Sequence, residues 1–163
     1  MSKPVSGDVV GDLVGQALQF DLPASSGGNI KLVDQLGSQV VLYFYPRDDT
    51  PGCTTESSDF AAAIDIFAKA NTKVFGISQD TIKSHQKFTK KLTLPFELLS
   101  DESGDVCRLF NVLKLKKMYG KEFMGIERST FLVDASGKVI QQWRKVKVPG
   151  HVDEVLAMAQ QCV

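Results

Sequence analysis

Cysteine and histidine are scarce in this chain, three and two residues respectively among 163. So small and odd a number of thiols builds no disulfide framework, and two histidines, His85 and His151, make a zinc cluster a poor prospect. The reading is a protein without metal or cofactor. No apolar run reaches membrane-spanning length, and Met1 to Val10 lacks the basic and then hydrophobic regions of a secretion signal, so a cytoplasmic location is expected. An excess of one charge is missing as well. Lysine plus arginine equals aspartate plus glutamate, 19 of each, which gives nucleic acid or an anionic membrane no general reason to bind. Repeats, low-complexity tracts and interdomain linkers are absent. With 43% hydrophobic content over 163 residues, the chain buries one good core, and residues 1–163 are read as a single domain.

What is present alternates between strand and helix. Residues 7–22 alternate weakly up to Pro23, and a Ser- and Gly-rich turn at 24–29 leads into residues 30–33, which predicts an amino-terminal β-hairpin extending the central sheet. Residues 39–45 are β-branched and aromatic and read as a buried strand. A helix from near Cys53 to about Ala70 follows, then a strand at 73–78, a helix near 81–91 and a strand around 96–99. Residues 105–113 read as a short helix, while 129–134 and 138–143 flank the turn Ala135-Ser136-Gly137 as a hairpin. Residues 151–161 form the last helix. The pattern is α/β: a central mixed β-sheet flanked by helices, with an N-terminal β-hairpin.

The segment from Tyr43 to Glu56 carries the chemistry. Pro46, Pro51 and Gly52 break the strand and deliver Cys53 to the start of a helix. Cys53 precedes Phe60 by seven residues, so its sulfur shares the inward stripe of Phe60, Ile64 and Phe67. The free amides and positive dipole end of a first helical turn favour an anion, and thiols at such positions are acidified. A thioredoxin-type second cysteine would stand at position 56, which is Glu56.

Pro46-x-x-x-Thr50-x-x-Cys53 matches the active-site motif of peroxiredoxins, and the wider Phe44-Tyr45-Pro46…Thr50-Pro51-Gly52-Cys53-Thr54 resembles the PrxQ, or bacterioferritin comigratory protein, subfamily. Phe75-Gly76-Ile77-Ser78, Leu98-Leu99-Ser100-Asp101, Lys117-Met118-Tyr119-Gly120-Lys121 and the run from Gly125 to Asp134 are similar to that subfamily in the same order, so the likeness covers residues 7 to 160. The resemblance implies a thioredoxin-like fold and a thiol-dependent peroxidase that reduces hydrogen peroxide and organic hydroperoxides through a sulfenic acid on Cys53. It also implies that the Thr50 hydroxyl holds the thiolate and the incoming peroxide, that Pro46 ends the strand and shields the cysteine from water, and that Arg128 bonds both thiolate and peroxide. Without it, Arg128 reads as an edge or surface arginine in a strand with Thr130 and Leu132.

Many members of the subfamily place a resolving cysteine five residues after the first. Here that position is Ser58, whose hydroxyl makes no disulfide. The preferred reading is a one-cysteine cycle in which thioredoxin, or glutathione with glutaredoxin, reduces Cys53. A Cys53–Cys107 disulfide is the runner-up, although Cys107 reads equally well as a packed core thiol on an amphipathic helix. Cys162, near the chain end, either cross-links two chains or does nothing. The resemblance further implies a monomer or weak homodimer.

Several residues receive lesser roles. Glu56 is read as capping or solvating the first turn with at most a weak supporting part. Lys114, Lys116, Lys117 and Lys121, interleaved with Met118, Tyr119 and Phe123, are read as a solvated loop rather than a nucleic-acid patch. His85 is expected to pack at the surface of its helix without chemistry. Two rival functions remain: a thioredoxin-like disulfide reductase, which lacks its second cysteine, and a peroxide-sensing redox switch or chaperone-like protein.

Overall fold

A computed structural model describes residues 12–163 of the chain. The readings of Met1 to Val10 and of the start of the first hairpin lie outside the described residues. The central sheet is organised around β3 (Gln39–Phe44), whose six residues are all buried. Val40, Leu42 and Phe44 enter one apolar cluster, and Val41 and Tyr43, with Tyr45 just beyond, enter another. Side chains alternate across a strand, so one run of β-branched and aromatic residues serves two cores. Parallel to β3 lies β4 (Thr72–Ser78), and parallel to that β5 (Leu98–Ser100); on the other side β8 (Ser129–Val133) runs antiparallel to β3 and to β9 (Val139–Arg144). The order β5-β4-β3-β8-β9 makes the expected mixed sheet of five strands.

Helices cover both faces. One cluster takes Cys53 and Phe60 from α1 (Pro51–Ala62), Phe67 from α2 (Ile64–Lys69), Phe88 from α3 (Ile82–Leu92), and Val152, Val155 and Ala159 from α5 (His151–Cys162). The opposite cluster is closed by Val106 and Cys107 from α4 (Asp105–Leu109) together with Phe20, Leu22 and Leu32. A fully buried phenylalanine such as Phe60 contributes roughly 1.5–3 kcal/mol relative to exposure, which is why the seven-residue spacing of Cys53 and Phe60 fixes which side of α1 faces inward.

Most expected elements end within two residues of their observed bounds, and four readings need correction. The amino-terminal hairpin, β1 (Asp21–Pro23) and β2 (Asn29–Lys31), is a separate two-stranded sheet and does not extend the central one, to whose edge it is tied by an isolated bridge between Ala24 and Leu99 and a bond from the Ser25 amide to the Leu98 carbonyl. The long helix after Cys53 is interrupted at Ala63, where a tight turn bonds the Ala63 amide to the Phe60 carbonyl. The helix expected to reach Leu113 stops at Leu109 because Asn111 turns left-handed at φ 56°. Its amide then bonds the Arg108 carbonyl, and the Val112 amide the Cys107 carbonyl, the paired bonds that close a Schellman motif. Finally, the segment read as a solvated loop is a second hairpin, β6 (Leu113–Met118) and β7 (Lys121–Ile126), joined through Tyr119 and Gly120, both at positive φ.

Candidate active site

Cys53 reaches the site through local backbone chemistry. Pro46 lacks an N–H and ends the β3 ladder, whose last bond there runs from the Tyr45 amide to the Ile77 carbonyl. Thr50 is the N-cap of α1 and Pro51 its first residue, a position that suits proline because its missing donor has no helical partner. The first helical hydrogen bond runs from the Thr54 amide to the Thr50 carbonyl. An N-cap hydroxyl ordinarily accepts from the second or third amide of the helix, here Gly52 or Cys53. The Thr50 hydroxyl instead donates to the Arg47 carbonyl at 2.8 Å. The helix start is therefore left uncapped at the cysteine, and the expected bond from Thr50 to the Cys53 sulfur is not made.

Arg128 arrives from the other side of the sheet order. Antiparallel pairing sets Phe44 against Ser129, so the residue just before β8 meets the end of β3 where α1 begins. Arg128 is thus not within a strand, as the sequence suggested, but immediately ahead of one, with its carbonyl accepting from the Val146 amide. Its side chain is 16% exposed. Nη2 lies 3.4 Å from Cys53 Sγ and Nη1 donates to Glu56 Oε1 at 2.7 Å. One guanidinium thereby spans two residues a helical turn apart on α1. Gly52 makes room for it: a Cβ there would stand 3.1 Å from Nη2.

Glu56 takes a central place that the sequence did not give it. It is fully buried, and its Oε2 has no hydrogen-bond partner. Burial pushes its carboxyl up to about 7, against the pull of Arg128. Burial works against the charge of Arg128 too, but Glu56 and Cys53 outweigh it and hold the guanidinium above its ordinary range. Tyr43 fixes the next residue of the helix, its hydroxyl 2.8 Å from Ser57 Oγ. His151, buried at the start of α5, has Nε2 2.8 Å from Thr130 Oγ1, and burial lowers it to about 4.

The loop that carries Pro46 and Thr50 is clamped to α3. His85 is fully buried rather than superficial. Its Nδ1 lies 2.8 Å from Asp48 Oδ2 and its Nε2 2.9 Å from the Leu99 carbonyl. Asp48 also accepts from the Tyr45 and Ser84 hydroxyls, and its amide donates to Asp80. Among the described residues, Asp48, Asp80 and His85 alone group three ligand-type atoms within 4.8 Å. Hydrogen bonds already engage all three side chains, as a clamp needs. The sequence signal was Asp48 two residues after Pro46, which turn chemistry alone accounted for equally well.

The remaining cysteines stand apart. Cys107 is fully buried in the cluster on the opposite face of the sheet from Cys53. Burial and neighbouring Asp101 push its thiol far up. Cys162 is exposed at the end of α5, and Ser58 is exposed on the outer side of α1. Lys116, dismissed as part of a loop, is half-buried on β6 and donates to the Ile126 carbonyl at 2.6 Å.

Residues 14–142 match the model of the AhpC/TSA family. The chain is 52% identical over 143 residues to Peroxiredoxin Bcp of Xanthomonas campestris pv. campestris, covering 86% of this chain and 89% of that protein. It is 49% identical over 144 residues to Peroxiredoxin Bcp of Bacillus subtilis, with 88% and 92% covered. A solved structure of the Xanthomonas campestris bacterioferritin comigratory protein, described for its alkyl peroxide reduction activity, superposes with a TM-score of 0.84 at 48% identity over 87% of this chain and 90% of that one. Among the described residues, no helix is long and apolar enough to cross a membrane. An uncapped helix start with its cysteine under a guanidinium, a thioredoxin-like sheet and these likenesses agree: the chain belongs to the AhpC/TSA family and is a peroxiredoxin of the Bcp, or PrxQ, group.

Proposed function

We propose that the peroxidase activity of this enzyme runs through Cys53, and that an external thiol completes the cycle. The observation that carries the reading is the Arg128 fork, 3.4 Å from the sulfur of Cys53 and 2.7 Å from Glu56. The Cys53 thiolate attacks the terminal oxygen of a hydroperoxide. An S–O bond forms, the O–O bond breaks, and the departing oxygen takes a proton to leave as water or an alcohol, with sulfenic acid left on Cys53.

Thiolate supply alone is too small an effect. Lowering a thiol pKa from ~8.5 to ~6 raises the thiolate fraction at neutral pH only ~30-fold, while intrinsic nucleophilicity falls. The larger effect acts on the transition state. Arg128 and the Cys53 amide are donors aimed at the reacting oxygens, each worth ~3 kcal/mol by analogy with oxyanion holes. Thr50, whose proton goes to Arg47, offers lone pairs and so accepts the hydroperoxide proton, turning the terminal oxygen toward sulfur. Pro46, at the end of β3, contributes no N–H donor that would hold water there. The alkyl peroxide reduction named for the Xanthomonas relative supports organic hydroperoxides beside hydrogen peroxide as substrates.

The placement of the other sulfurs supports resolution by an external thiol. Cys107 lies across the sheet with its thiol held protonated, and five residues along α1, about 140° around the helix, stands Ser58. A first reductant thiol condenses with the sulfenic acid to give a mixed disulfide and water, and a second releases Cys53. Thioredoxin or a glutathione–glutaredoxin pair would serve. The test is an intact mass taken within seconds of adding one equivalent of hydrogen peroxide to reduced protein. A gain of one oxygen, abolished by Cys53→Ser, is expected. Loss of two hydrogens would instead make Cys107 or Cys162 an internal resolving partner, and an unchanged mass would sink the peroxidase role of Cys53.

A further inference from the structure

The β6–β7 hairpin is a sheet of its own, and its outer half is exposed on both faces. Five of the eleven large apolar side chains that the described residues leave exposed lie on it: Leu115, Met118, Tyr119, Phe123 and Met124. Only its base, Leu113 and Ile126, joins the core. A two-stranded hairpin in water is marginal without packing or a partner. Cross-strand partners share a face, so the register puts Lys114 with Gly125, Lys116 with Phe123 and Met118 with Lys121 on one side, and Leu115 with Met124 and Lys117 with Glu122 on the other. Charge separates the two sides. Lys117 pairs with Glu122 at 3.4 Å, whereas among the described residues Lys114, Lys116 and Lys121 form no salt bridge. One face is therefore apolar at Met118 and Phe123 and flanked by three cations that no carboxylate of the chain neutralises.

This face is tied to the active site through bonds along β7. Lys116 donates to the Ile126 carbonyl at 2.6 Å. Two residues further, at most ~7 Å along the chain, comes Arg128, whose Nη2 lies 3.4 Å from Cys53 Sγ. We infer that the face of Lys114, Lys116, Met118, Lys121 and Phe123 is the docking surface for the protein reductant, a thioredoxin-type dithiol protein whose contact face is apolar and rimmed by carboxylates. The inference rests on the reading that an external thiol reduces Cys53. A second copy of this chain suits the face badly, because an isologous contact would set three lysines against three lysines. A carboxylate-rimmed partner is instead steered in by them, and it buries Met118 and Phe123, residue types enriched at interfaces. Once docked, one partner thiol displaces the sulfenic oxygen as water and forms a mixed disulfide with Cys53. The partner's second thiol then attacks the partner's own sulfur, so that Cys53 leaves as a thiol and the partner as a disulfide.

The reduction step isolates this surface. Protein oxidised by one equivalent of hydrogen peroxide is mixed with reduced thioredoxin, and recovery of the Cys53 thiol is followed by mass. In Lys114→Glu/Lys121→Glu the second-order rate constant should fall by about 10-fold or more, and the decline with added salt that wild type shows should disappear. Phe123→Ala should lose about 5-fold. Reduction of both variants by dithiothreitol should match wild type, which separates docking from folding. Lys31→Glu, the same charge change on the amino-terminal hairpin, should keep the full thioredoxin rate. An unaltered thioredoxin rate in Lys114→Glu/Lys121→Glu overturns the inference. So does a wild-type dimer that Phe123→Ala dissociates, which gives the face to a second copy, or binding of a single-stranded oligonucleotide that the charge reversal abolishes. Loss of two hydrogens on oxidation, read by mass before any reductant is added, would overturn the external-thiol reading instead.

Discussion

Cys53 and Cys107 are equally hidden, 1% and 0% exposed, and lie on opposite faces of the same sheet. Burial therefore says nothing about which is reactive. Around Cys53 stand a guanidinium and a helix start whose cap hydroxyl is turned away. Around Cys107 stands Asp101, whose carboxylate accepts the Cys107 amide at 2.7 Å and opposes ionisation of the thiol. Two thiols of similar burial thus have opposite neighbours, a guanidinium beside one and a carboxylate beside the other, and a positive neighbour favours a thiolate where a negative one opposes it. The lesson is that the sheet works as an electrostatic partition as well as a scaffold.

The largest effect should come from removing either thiol. Cys53→Ser should lower peroxide reduction by about a thousandfold or more, while Cys107→Ser should leave the initial rate within about twofold, since its effect is on packing; comparable losses in both would break the comparison. Next comes the field around Cys53. Arg128→Lys keeps a charge but not the fork that reaches Glu56 and Cys53 together, so kcat/KM should fall about 100-fold, equivalent to ~3 kcal/mol. A near-normal rate would mean that charge alone suffices. Gly52→Ala isolates geometry from charge. Its Cβ, 3.1 Å from Arg128 Nη2, should displace the guanidinium by a few tenths of an ångström and cost about 10-fold in kcat/KM. Thermal stability should hold or rise, because alanine is favoured over glycine within a helix by ~0.5–1 kcal/mol.

The last effect concerns pH and is read in stability rather than in rate. Glu56 is raised from 4.5 to about 7, so the native state binds its proton more tightly than the unfolded chain does. Its contribution to stability is complete below 4.5 and is lost as pH rises through 7, by at most ~3 kcal/mol. His151, lowered to about 4, acts in the opposite sense, contributing above 6.5 and losing that contribution as pH falls through 4. Urea midpoints measured from acid to neutral pH should therefore decline less, or climb, in Glu56→Gln relative to wild type. Parallel curves would remove Glu56 from the pH response.

Much of the architecture was legible because strand and helix periods survive in the sequence. The β3 run and the Cys53–Phe60 spacing placed Cys53 on the inward side of α1. The hairpin at 113–126 was hidden although Leu113, Lys114, Leu115 and Lys116 alternate, because four lysines masked the pattern and Tyr119-Gly120 is an unusual pair for so tight a turn. Asn111, in contrast, was an available stop signal for α4. Within the site, Cys53 and Arg128 were reachable through the motif. Glu56 was not, since only tertiary structure shows that its helix face points at Arg128 and that its carboxylate has lost water. His85 was misjudged for the same reason: a helix residue between Ile82 and Phe88 looks superficial until Asp48 is found beneath it.

The Asp48–His85 clamp carries one further consequence, concerning what a change at either end would orphan. Both ring nitrogens of His85 are engaged, Nδ1 with the Asp48 carboxylate and Nε2 with the Leu99 carbonyl, and Asp48 also receives the Tyr45 and Ser84 hydroxyls. Replacing either residue would therefore strand several buried polar groups at once, each costing roughly 1–3 kcal/mol when left without a partner. The loop bearing Thr50 hangs from α3 by these same atoms, so damage done beneath α3 would be felt at the far end of the loop.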